Sequence, residues 1–200
     1  QRRSMLNTAA RRARVFNSAA FRAPSASLVA TSKFNTTYNR SFATNKQEKV
    51  LITGCLGQIG VELAEDLKDL VGAQNVILSD VGTPKTSILE QPSPFYFCNV
   101  IDKKRLQRLV DKYSITTIIH NAAFLSATAE KMVDDALELN TVGLHNVMSV
   151  AHHSNLRVFV PSSIAAFGPT TPLEFVPDLT IQRPTTVYGI GKVYAELLGE

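Results

Sequence analysis

The stretch K-V-L-I-T-G-C-L-G-Q-I-G, residues 49–60, decides the fold of this 200-residue chain. It begins as an apolar run typical of a buried strand and continues into three glycines, Gly54, Gly57 and Gly60. Beyond them, apolar residues recur at the spacing of an amphipathic helix, at Ile59, Leu63, Leu67 and Leu70. The glycines are therefore predicted to lie where a strand turns into a helix.

Three glycines at such a turn predict a nucleotide-binding site. Gly54 would make the tight turn, Gly57 would let the backbone approach a pyrophosphate, and Gly60 would let the helix pack closely on the strand. The first N–H groups of the helix, at Gln58 and Ile59, would then face the anion. The alternative is an ordinary glycine-rich turn between a strand and a helix.

Strand and helix patterns alternate along the rest of the chain. Five apolar runs are predicted strands, at 50–53, 75–79, 95–98, 115–119 and 156–160. Helices are predicted after the glycines, after an N-cap at Asp102, around 134–153 and from about Val187, with irregular stretches at 81–94 and 168–184. This alternation predicts an α/β fold, a Rossmann-type doubly wound parallel sheet with right-handed crossovers.

Composition divides the chain into two parts. Residues 1–42 carry eight Lys and Arg residues and no acid, which is a charge of +8. Residues 43–200 carry thirteen Lys and Arg residues against seventeen Asp and Glu residues, which is −4, and the two parts add up to the net charge of +4. An Arg-, Ser- and Ala-rich segment without a long apolar core predicts a mitochondrial transit peptide over 1–42, and hence the matrix. Residues 43–200 are the predicted nucleotide-binding domain. Because the chain starts at Gln1 and stops inside a helical pattern, we expect a fragment that is open at both ends.

Several classes of partner are not expected. The basic pI of about 9.1 comes from residues 1–42, so it does not indicate nucleic acid. No apolar run approaches ~18 residues, so no membrane partner is predicted. The only cysteines, Cys55 and Cys98, show no metal-ligand spacing, and we predict neither a disulfide nor a metal site.

Asp80 ends the second predicted strand, twenty residues beyond Gly60. A carboxylate at this place accepts hydrogen bonds from the hydroxyls of an adenosine ribose and repels the 2′-phosphate of NADP. Asp80 therefore favours NAD as the cofactor. At the end of the fourth strand, the small residues Ala122 and Ala123 would let the backbone run close to it, and His120 is predicted to be a structural histidine.

Tyr188 and Lys192 are four residues apart, on one face of the last predicted helix. A phenol with its ordinary pKa of about 10 is a poor base at neutral pH, but a nearby ammonium favours the phenolate. The alternative is a solvated Tyr/Lys face. Ser162 and Ser163 follow the fifth strand, and the carboxyl ends of parallel strands meet at one edge, so these serines can converge with the cofactor there.

Four motifs together resemble one family. They read L-I-T-G-C-L-G-Q-I-G from 51, I-I-H-N-A-A-F-L-S-A from 118, F-V-P-S-S-I-A-A-F-G-P-T-T-P from 159 and P-D-L-T-I-Q-R-P from 177. They resemble the extended short-chain dehydrogenase/reductases, and within them the short-chain type of L-threonine dehydrogenases. The resemblance covers about 50–200, and the last two motifs are far more specific than the glycines. The chain departs from the usual family residues at Asn99, Ser163, Ala165, Thr185 and Gly191.

The resemblance implies oxidation of the L-threonine side-chain hydroxyl to 2-amino-3-oxobutanoate, with NAD as hydride acceptor. Tyr188 would be the general base, Lys192 would favour its phenolate and bind the nicotinamide ribose, and Ser163 would hydrogen-bond the reacting oxygen. Ser126 and Ser162 would contact the substrate. The C-terminal substrate-binding part of the family would be missing from this chain.

The resemblance also implies an adenine contact and an assembly. Asn99 and Val100, after the third strand, would contact the adenine, and the protein would be a homodimer. Two alternatives remain at this stage. One is a sugar-nucleotide epimerase or dehydratase of the same superfamily, and the other is a mitochondrial NAD-binding subunit without catalysis.

Overall fold

The computed structural model describes residues 48–89 and 91–200. The predicted transit peptide, residues 1–42, and residues 43–47 of the predicted NAD-binding domain lie outside this part of the chain. Within the described part, none of the helices is both long enough and apolar enough to cross a membrane.

Five parallel strands form one sheet. They are β1 (Val50–Thr53), β2 (Val76–Asp80), β3 (Phe95–Phe97), β4 (Thr117–His120) and β5 (Arg157–Phe159). Their order across the sheet is β3-β2-β1-β4-β5, with every neighbouring pair parallel. The chain leaves β1 toward β2 on one side and returns to β4 on the other, which opens a crevice at the carboxyl ends of these strands. The predicted α/β, doubly wound, Rossmann-type sheet is confirmed.

Helices cover both faces of the sheet. They are α1 (Gln58–Val71), α2 (Thr86–Leu89), α3 (Lys103–Tyr113), α4 (Ser126–Ala129), α5 (Val133–Glu138), α6 (Leu144–Ser154) and α7 (Val187–Gly199). Short 3₁₀ turns lie at Ala73–Asn75 and Ile164–Ala166. Asp102 caps α3 as predicted, because its carboxylate accepts a hydrogen bond from the Arg105 N–H.

The core consists of two apolar layers that meet at β1. Leu51 belongs to the layer under α3 and α6, which also contains Leu106 and Val147. Its neighbours Val50 and Ile52 point to the opposite face and pack with α1. Burial on both faces explains why the first three residues of β1 are a continuous apolar run rather than an alternation of apolar and polar residues.

The structure corrects some predicted boundaries. The second strand starts at Val76 rather than 75, because Asn75 belongs to a 3₁₀ turn and its amide donates to the Val71 carbonyl. The fourth strand is Thr117–His120 instead of 115–119, because the Ile115 N–H still bonds the carbonyl of Val110 at the end of α3.

The helix predicted around 134–153 is confirmed as one helical run, 133–154, that contains a π-helical turn. This turn, Leu139–Gly143, lies between α5 and α6, and the backbone angles are helical at both of its ends. A Cβ on Gly143 would lie 2.9 Å from Val100 Cγ2, so this turn packs directly on the segment after β3. In addition, the predicted irregular stretch 81–94 contains the short helix α2.

Candidate functional site

The glycine turn packs backbone against backbone. Gly54 has φ of +69°, and a Cβ there would lie 2.5 Å from the main-chain nitrogen of Ala122, which follows β4. A Cβ on Gly60 would lie 2.6 Å from the Gly54 carbonyl oxygen. A side chain at either position would therefore force the end of β4 or the start of α1 away from the turn.

Gly57 is different, because it faces open space. A Cβ there would meet only the Gly54 carbonyl oxygen, at an ordinary 3.5 Å. Gly57 is the N-cap of α1 and provides no side-chain cap, and Gln58 and Ile59 begin the helix as exposed residues. The N–H groups of this first turn are available to an anion, as a dinucleotide pyrophosphate requires.

A cleft of about 570 Å³ opens beside this turn, at the carboxyl ends of β1, β2 and β4. Seven of the predicted cofactor-binding residues line it: Gly54, Gly57, Asp80, Asn99, Val100, Ala122 and Ala123. Gln58 and Ile59 lie at its edge on α1 without lining it, and Gly60 is buried beneath the turn. The volume is within the range of small-molecule and cofactor sites.

Backbone hydrogen bonds hold the Asp80 carboxylate beside the glycine turn. One oxygen accepts from the Leu56 N–H at 2.9 Å, and the other accepts from the N–H groups of Val81 and Gly82 at 2.7 and 2.9 Å. A carboxylate oxygen accepts more than one hydrogen bond, so these contacts orient Asp80 and leave lone pairs for ribose hydroxyls.

Asn99 shapes the far wall of the cleft. Its side-chain oxygen accepts a hydrogen bond from the Ile101 N–H at 3.0 Å, which turns the chain after β3. The buried Asn146 amide on α6 donates to the carbonyls of Val100 and Ile101, at 3.0 and 2.9 Å. The predicted adenine contacts therefore lie on a turn that is held by hydrogen bonds with two side chains, those of Asn99 and Asn146.

Sequence reasoning did not select nine further residues that line the cleft: Leu56, Val81, Cys98, Ile101, Asn121, Phe124, Asp135, Glu138 and Leu139. Most flank a motif that was selected. Asp135, Glu138 and Leu139 belong to α5 and the π-helical turn, and no local pattern marks them as neighbours of the glycine turn.

Asn121 is the most informative of these residues. Its main-chain N–H donates to the Thr53 carbonyl at 3.0 Å, which continues the pairing of β4 with β1. Both polar atoms of its side chain are buried and lack a partner among the described residues. A buried amide without partners costs free energy, so its place beside the cleft indicates that a bound polar molecule satisfies it.

Tyr188 and Lys192 lie on α7 as predicted, with the Lys192 ammonium 5.4 Å from the centre of the Tyr188 ring. The ammonium donates a hydrogen bond of 2.7 Å to the Pro161 carbonyl, just after β5. Burial lowers the pKa of Lys192. The helix start is fixed as well, because Thr186 caps it and the Glu130 carboxylate accepts from the Tyr188 N–H at 3.2 Å.

A small cavity of about 20 Å³ lies beside Lys192 and shares part of its lining with the cleft. His120, Asn140 and Lys192 supply its polar lining, and Ala122 and Ala123 border both this cavity and the larger cleft. Its size suits about one water molecule. Asn140 belongs to the π-helical turn.

The predicted serines occupy three different places. Ser163 is partly exposed and caps the Ile164–Ala166 turn, where its hydroxyl accepts from the Ala165 N–H. Ser162 donates instead to the Glu196 carboxylate on α7. Ser126 is exposed on α4, which contacts α7. None of the three lines the cleft or the small cavity.

Gly191 and Ala165, two of the departures from the usual family residues, lie at close contacts of α7. A Cβ on Gly191 would lie 2.6 Å from the Asn140 amide nitrogen, so this glycine lets α7 approach the π-helical turn. A Cβ on Gly189 would lie 2.2 Å from the carbonyl oxygen of Ala165. The turn that Ser163 caps therefore packs directly on the first turn of α7, close to Tyr188.

His120 is structural, as predicted. It is buried, and its Nδ1 lies 2.8 Å from the hydroxyl of Thr53, its partner across β1 and β4. Burial, and then the nearby Lys192 ammonium, lower the pKa of His120 to about 4. The ring is therefore neutral at physiological pH.

Cys55 is not a nucleophile. Burial, and then the charge of Asp80, raise the pKa of its thiol to about 12. Within residues 48–89 and 91–200, His, Cys, Asp and Glu side chains form no cluster of three or more that could hold a metal ion.

Comparisons with known proteins agree with this geometry. A model described as the NAD dependent epimerase/dehydratase family matches residues 50–200. Mitochondrial L-threonine 3-dehydrogenase of Bos taurus is 48% identical over 163 residues, which are 82% of this chain and 43% of that protein. The Homo sapiens protein named inactive L-threonine 3-dehydrogenase, mitochondrial, is 46% identical over 82% of this chain and 70% of its own length.

A solved structure is similar too. The L-threonine dehydrogenase of Clostridium difficile superimposes with a TM-score of 0.72 and 44% identity, over 76% of this chain and 47% of that one. The chain thus spans less than half the length of the bovine and clostridial relatives. The predicted resemblance and, at the level of the family, the predicted cofactor NAD are confirmed.

Replacing single glycines should separate folding from nucleotide binding. Gly54→Ala should lower the free energy of unfolding by about 2 kcal/mol or more, because alanine is strained at positive φ and its methyl group collides with Ala122. Gly57→Ala should leave that free energy nearly unchanged and weaken NAD binding, since its methyl group would point into the open space that the pyrophosphate is predicted to occupy. Urea unfolding and titration calorimetry measure the two effects. A Gly57→Ala protein with undiminished NAD affinity would contradict the prediction that the pyrophosphate binds beside Gly57.

Stability should fall in acid partly through His120. Its pKa is about 4 in the folded protein and about 6.5 in the unfolded chain. Between these values the unfolded chain binds more protons, so stability falls as the pH drops from about 6.5 to about 4, by at most ~1.4 kcal/mol per pH unit.

His120→Gln should remove this part of the pH dependence, as measured by urea unfolding at several pH values. His145→Gln, at an exposed position on α6, is the matched control and should retain the wild-type dependence. Identical pH dependence in the two variants would contradict a buried neutral His120.

Proposed function

We propose that this chain, which belongs to the NAD dependent epimerase/dehydratase family, binds NAD in the cleft and oxidises the side-chain hydroxyl of L-threonine. One observation carries the proposal. Ala122 and Ala123 border both the cleft and the small cavity that contains Lys192, so the dinucleotide site and the Tyr188/Lys192 pair are adjacent. A cleft for NAD and a basic residue pair beside it are the parts that a dehydrogenase needs.

The residues present fit NAD. The glycine turn leaves room for a pyrophosphate beside Gly57. The buried Asn121 amide has two polar atoms that a bound molecule can satisfy. In the proposed arrangement the first turn of α1, at Gln58 and Ile59, holds the pyrophosphate, and Asp80 holds the adenosine ribose. Asn99 and Val100 hold the adenine.

The proposed chemistry is removal of the proton of an alcohol hydroxyl together with a hydride from the carbon that carries this hydroxyl. NAD, when bound, accepts the hydride. The Tyr188 phenol oxygen takes the proton of the threonine hydroxyl, and Lys192, whose ammonium lies 5.4 Å from the centre of that ring, binds the nicotinamide ribose. Ser163 donates a hydrogen bond to the reacting oxygen, which the packing of its turn on Gly189 supports. The product is 2-amino-3-oxobutanoate.

The identity of the substrate comes from the named relatives. We assign Ser126 and Ser162 as contacts of the threonine amino acid group. Ser126 is supported by its position on α4, whose following residue Glu130 bonds the first turn of α7. Ser162 would have to exchange its hydrogen bond with Glu196 for one with the substrate.

Location and assembly are part of the same proposal. The bovine and human relatives are named as mitochondrial, which with the composition of residues 1–42 supports the mitochondrial matrix. A homodimer is supported by exposed apolar residues on two helices that contact each other, such as Leu137 on α5 and Ile190 on α7.

A second candidate is an NAD-binding protein without catalysis. The chain covers 70% of the human relative named inactive, but only 43% of the bovine dehydrogenase. An NADH-release assay with L-threonine separates the two, alongside calorimetry with NAD on the same preparation. NADH release supports the dehydrogenase, and NAD binding without release supports the second candidate.

Tyr188→Phe should reduce NADH formation from L-threonine at least about 100-fold, because a positioned general base contributes on this scale. NAD affinity should be nearly unchanged, since the cleft does not include Tyr188. Tyr194→Phe, on the same helix, is the matched control and should keep its activity. Substantial activity in Tyr188→Phe would refute its role as the base.

Asp80→Asn should raise the affinity for NADP relative to NAD by roughly tenfold, which corresponds to ~1.4 kcal/mol. The variant retains an oxygen for the N–H groups of Val81 and Gly82 but loses the charge that repels a 2′-phosphate. Calorimetric titration with both nucleotides measures the ratio. An unaltered ratio of NADP affinity to NAD affinity would show that Asp80 does not select the cofactor through its ribose.

A further inference from the structure

A second association of tyrosine with lysine lies outside the cleft. Tyr96 of β3 packs against Lys112 and Tyr113 at the end of α3, and we call these three residues the Tyr96 cluster. The Lys112 ammonium donates a hydrogen bond of 2.7 Å to the Tyr96 phenol oxygen, and the hydroxyls of Tyr96 and Tyr113 are hydrogen-bonded to each other. Among the residues that line the cleft, none belongs to the cluster.

The geometry places a positive charge, the Lys112 ammonium, against the phenol oxygen of Tyr96. The ammonium also lies 4.8 and 5.1 Å from the ring centres of Tyr96 and Tyr113, so both rings face it. By contrast, Lys192 directs its ammonium to a main-chain carbonyl rather than to Tyr188. The sequence pointed to Tyr188 as the tyrosine with a lysine partner, because Lys112 is sixteen residues from Tyr96.

The two tyrosines of the cluster are not equivalent. The hydrogen bond from Lys112, and then that from Tyr113, lower the pKa of Tyr96. Burial, and then the hydrogen bond to Tyr96, raise the pKa of Tyr113. The hydrogen bond to Tyr96 raises the pKa of Lys112. Tyr96 is therefore the member that gives up its proton, while Lys112 keeps its own.

The cluster is accessible and held in place. β3 is at the edge of the described sheet, Tyr96 is half-buried, and Lys112 is exposed. The rings of Tyr96 and Tyr113 pack against the apolar layer under α3, with their centres 5.6 Å apart. A small reagent can therefore reach the Tyr96 oxygen from solvent without the chain unfolding.

We propose that Tyr96 is a site of covalent modification by electrophiles that transfer an acyl or sulfonyl group to oxygen. With an aryl sulfonyl fluoride, a lone pair of the Tyr96 oxygen attacks the sulfur. The new S–O bond forms as the S–F bond breaks, fluoride leaves, and the phenol proton passes to solvent. The thiolate, phenolate or amine form of a side chain is the nucleophile in such reactions, and Lys112 is held as the ammonium.

The test is labelling of the 200-residue chain with 4-methylbenzenesulfonyl fluoride near neutral pH, with initial rates at each residue read by peptide mass spectrometry. Tyr96 should be labelled several times faster than Tyr194, a half-buried tyrosine on α7. Lys112→Gln should slow labelling of Tyr96 about threefold, the scale expected for a contact with an exposed charge.

Lys104→Gln is the matched control, because Lys104 is another exposed lysine on α3. It should leave the rate at Tyr96 unchanged. Both substitutions are at exposed positions, so the fold is expected to persist, and circular dichroism checks it. Equal rates at Tyr96 and Tyr194, equal effects of the two substitutions, or a label on the Lys112 nitrogen would each overturn the proposal.

Discussion

Contact of backbone with backbone at the turn after β1 is the constraint on which the rest of the site depends. Gly54 touches the main chain of Ala122, and Gly60 touches the carbonyl of Gly54, with no room for a Cβ at either place. The carboxyl ends of β1 and β4 and the start of α1 are thereby held as one unit. The strand order places this unit at the crevice of the sheet, and so the cleft forms there.

A second unit is built around α7, and the end of β4 links it to the first. α7 reaches the chain after β5 through Gly189, which contacts the Ala165 carbonyl, and through Lys192, which bonds the Pro161 carbonyl. The burial of His120, and then the nearby Lys192 ammonium, keep that histidine neutral, because a positive charge on its ring would be poorly solvated and repelled. The buried Lys192 cation thus adds to the effect of burial on its neighbour and lies next to the proposed base.

Local patterns predicted the architecture well and its boundaries less well. The apolar run at 50–53, the three glycines and the N-cap Asp102 each act on residues within one turn, so their consequences can be read from the sequence. The π-helical turn between α5 and α6 could not be read in this way. Gly143 packs there on Val100, more than forty residues earlier in the chain, and no periodicity within the helix records that contact.

The candidate site shows the same difference between what local patterns predict and what contacts between distant residues decide. Five residues that line the cleft were selected by sequence spacing, because they lie at or just after strand ends, where topology brings side chains together. The family resemblance added Asn99 and Val100, which also line it. It could not show that Ser162 turns to Glu196, since a hydrogen bond depends on the direction of a side chain as well as on its position. The isolation of the Asn121 amide is likewise invisible in sequence, because burial is a property of the surrounding atoms.

By itself, the sequence determined the type and order of the five strands and the longer helices, the glycine turn, the acid at the end of β2 and the Tyr188/Lys192 spacing. All of these depend on neighbours along the chain. Only the tertiary structure decided which distant groups meet, including Lys112 with Tyr96, Lys192 with Pro161 and Asn140 with Gly191. The physical reason is that such contacts are made where separate elements pack, and packing depends on strand order, register and the face that each residue presents.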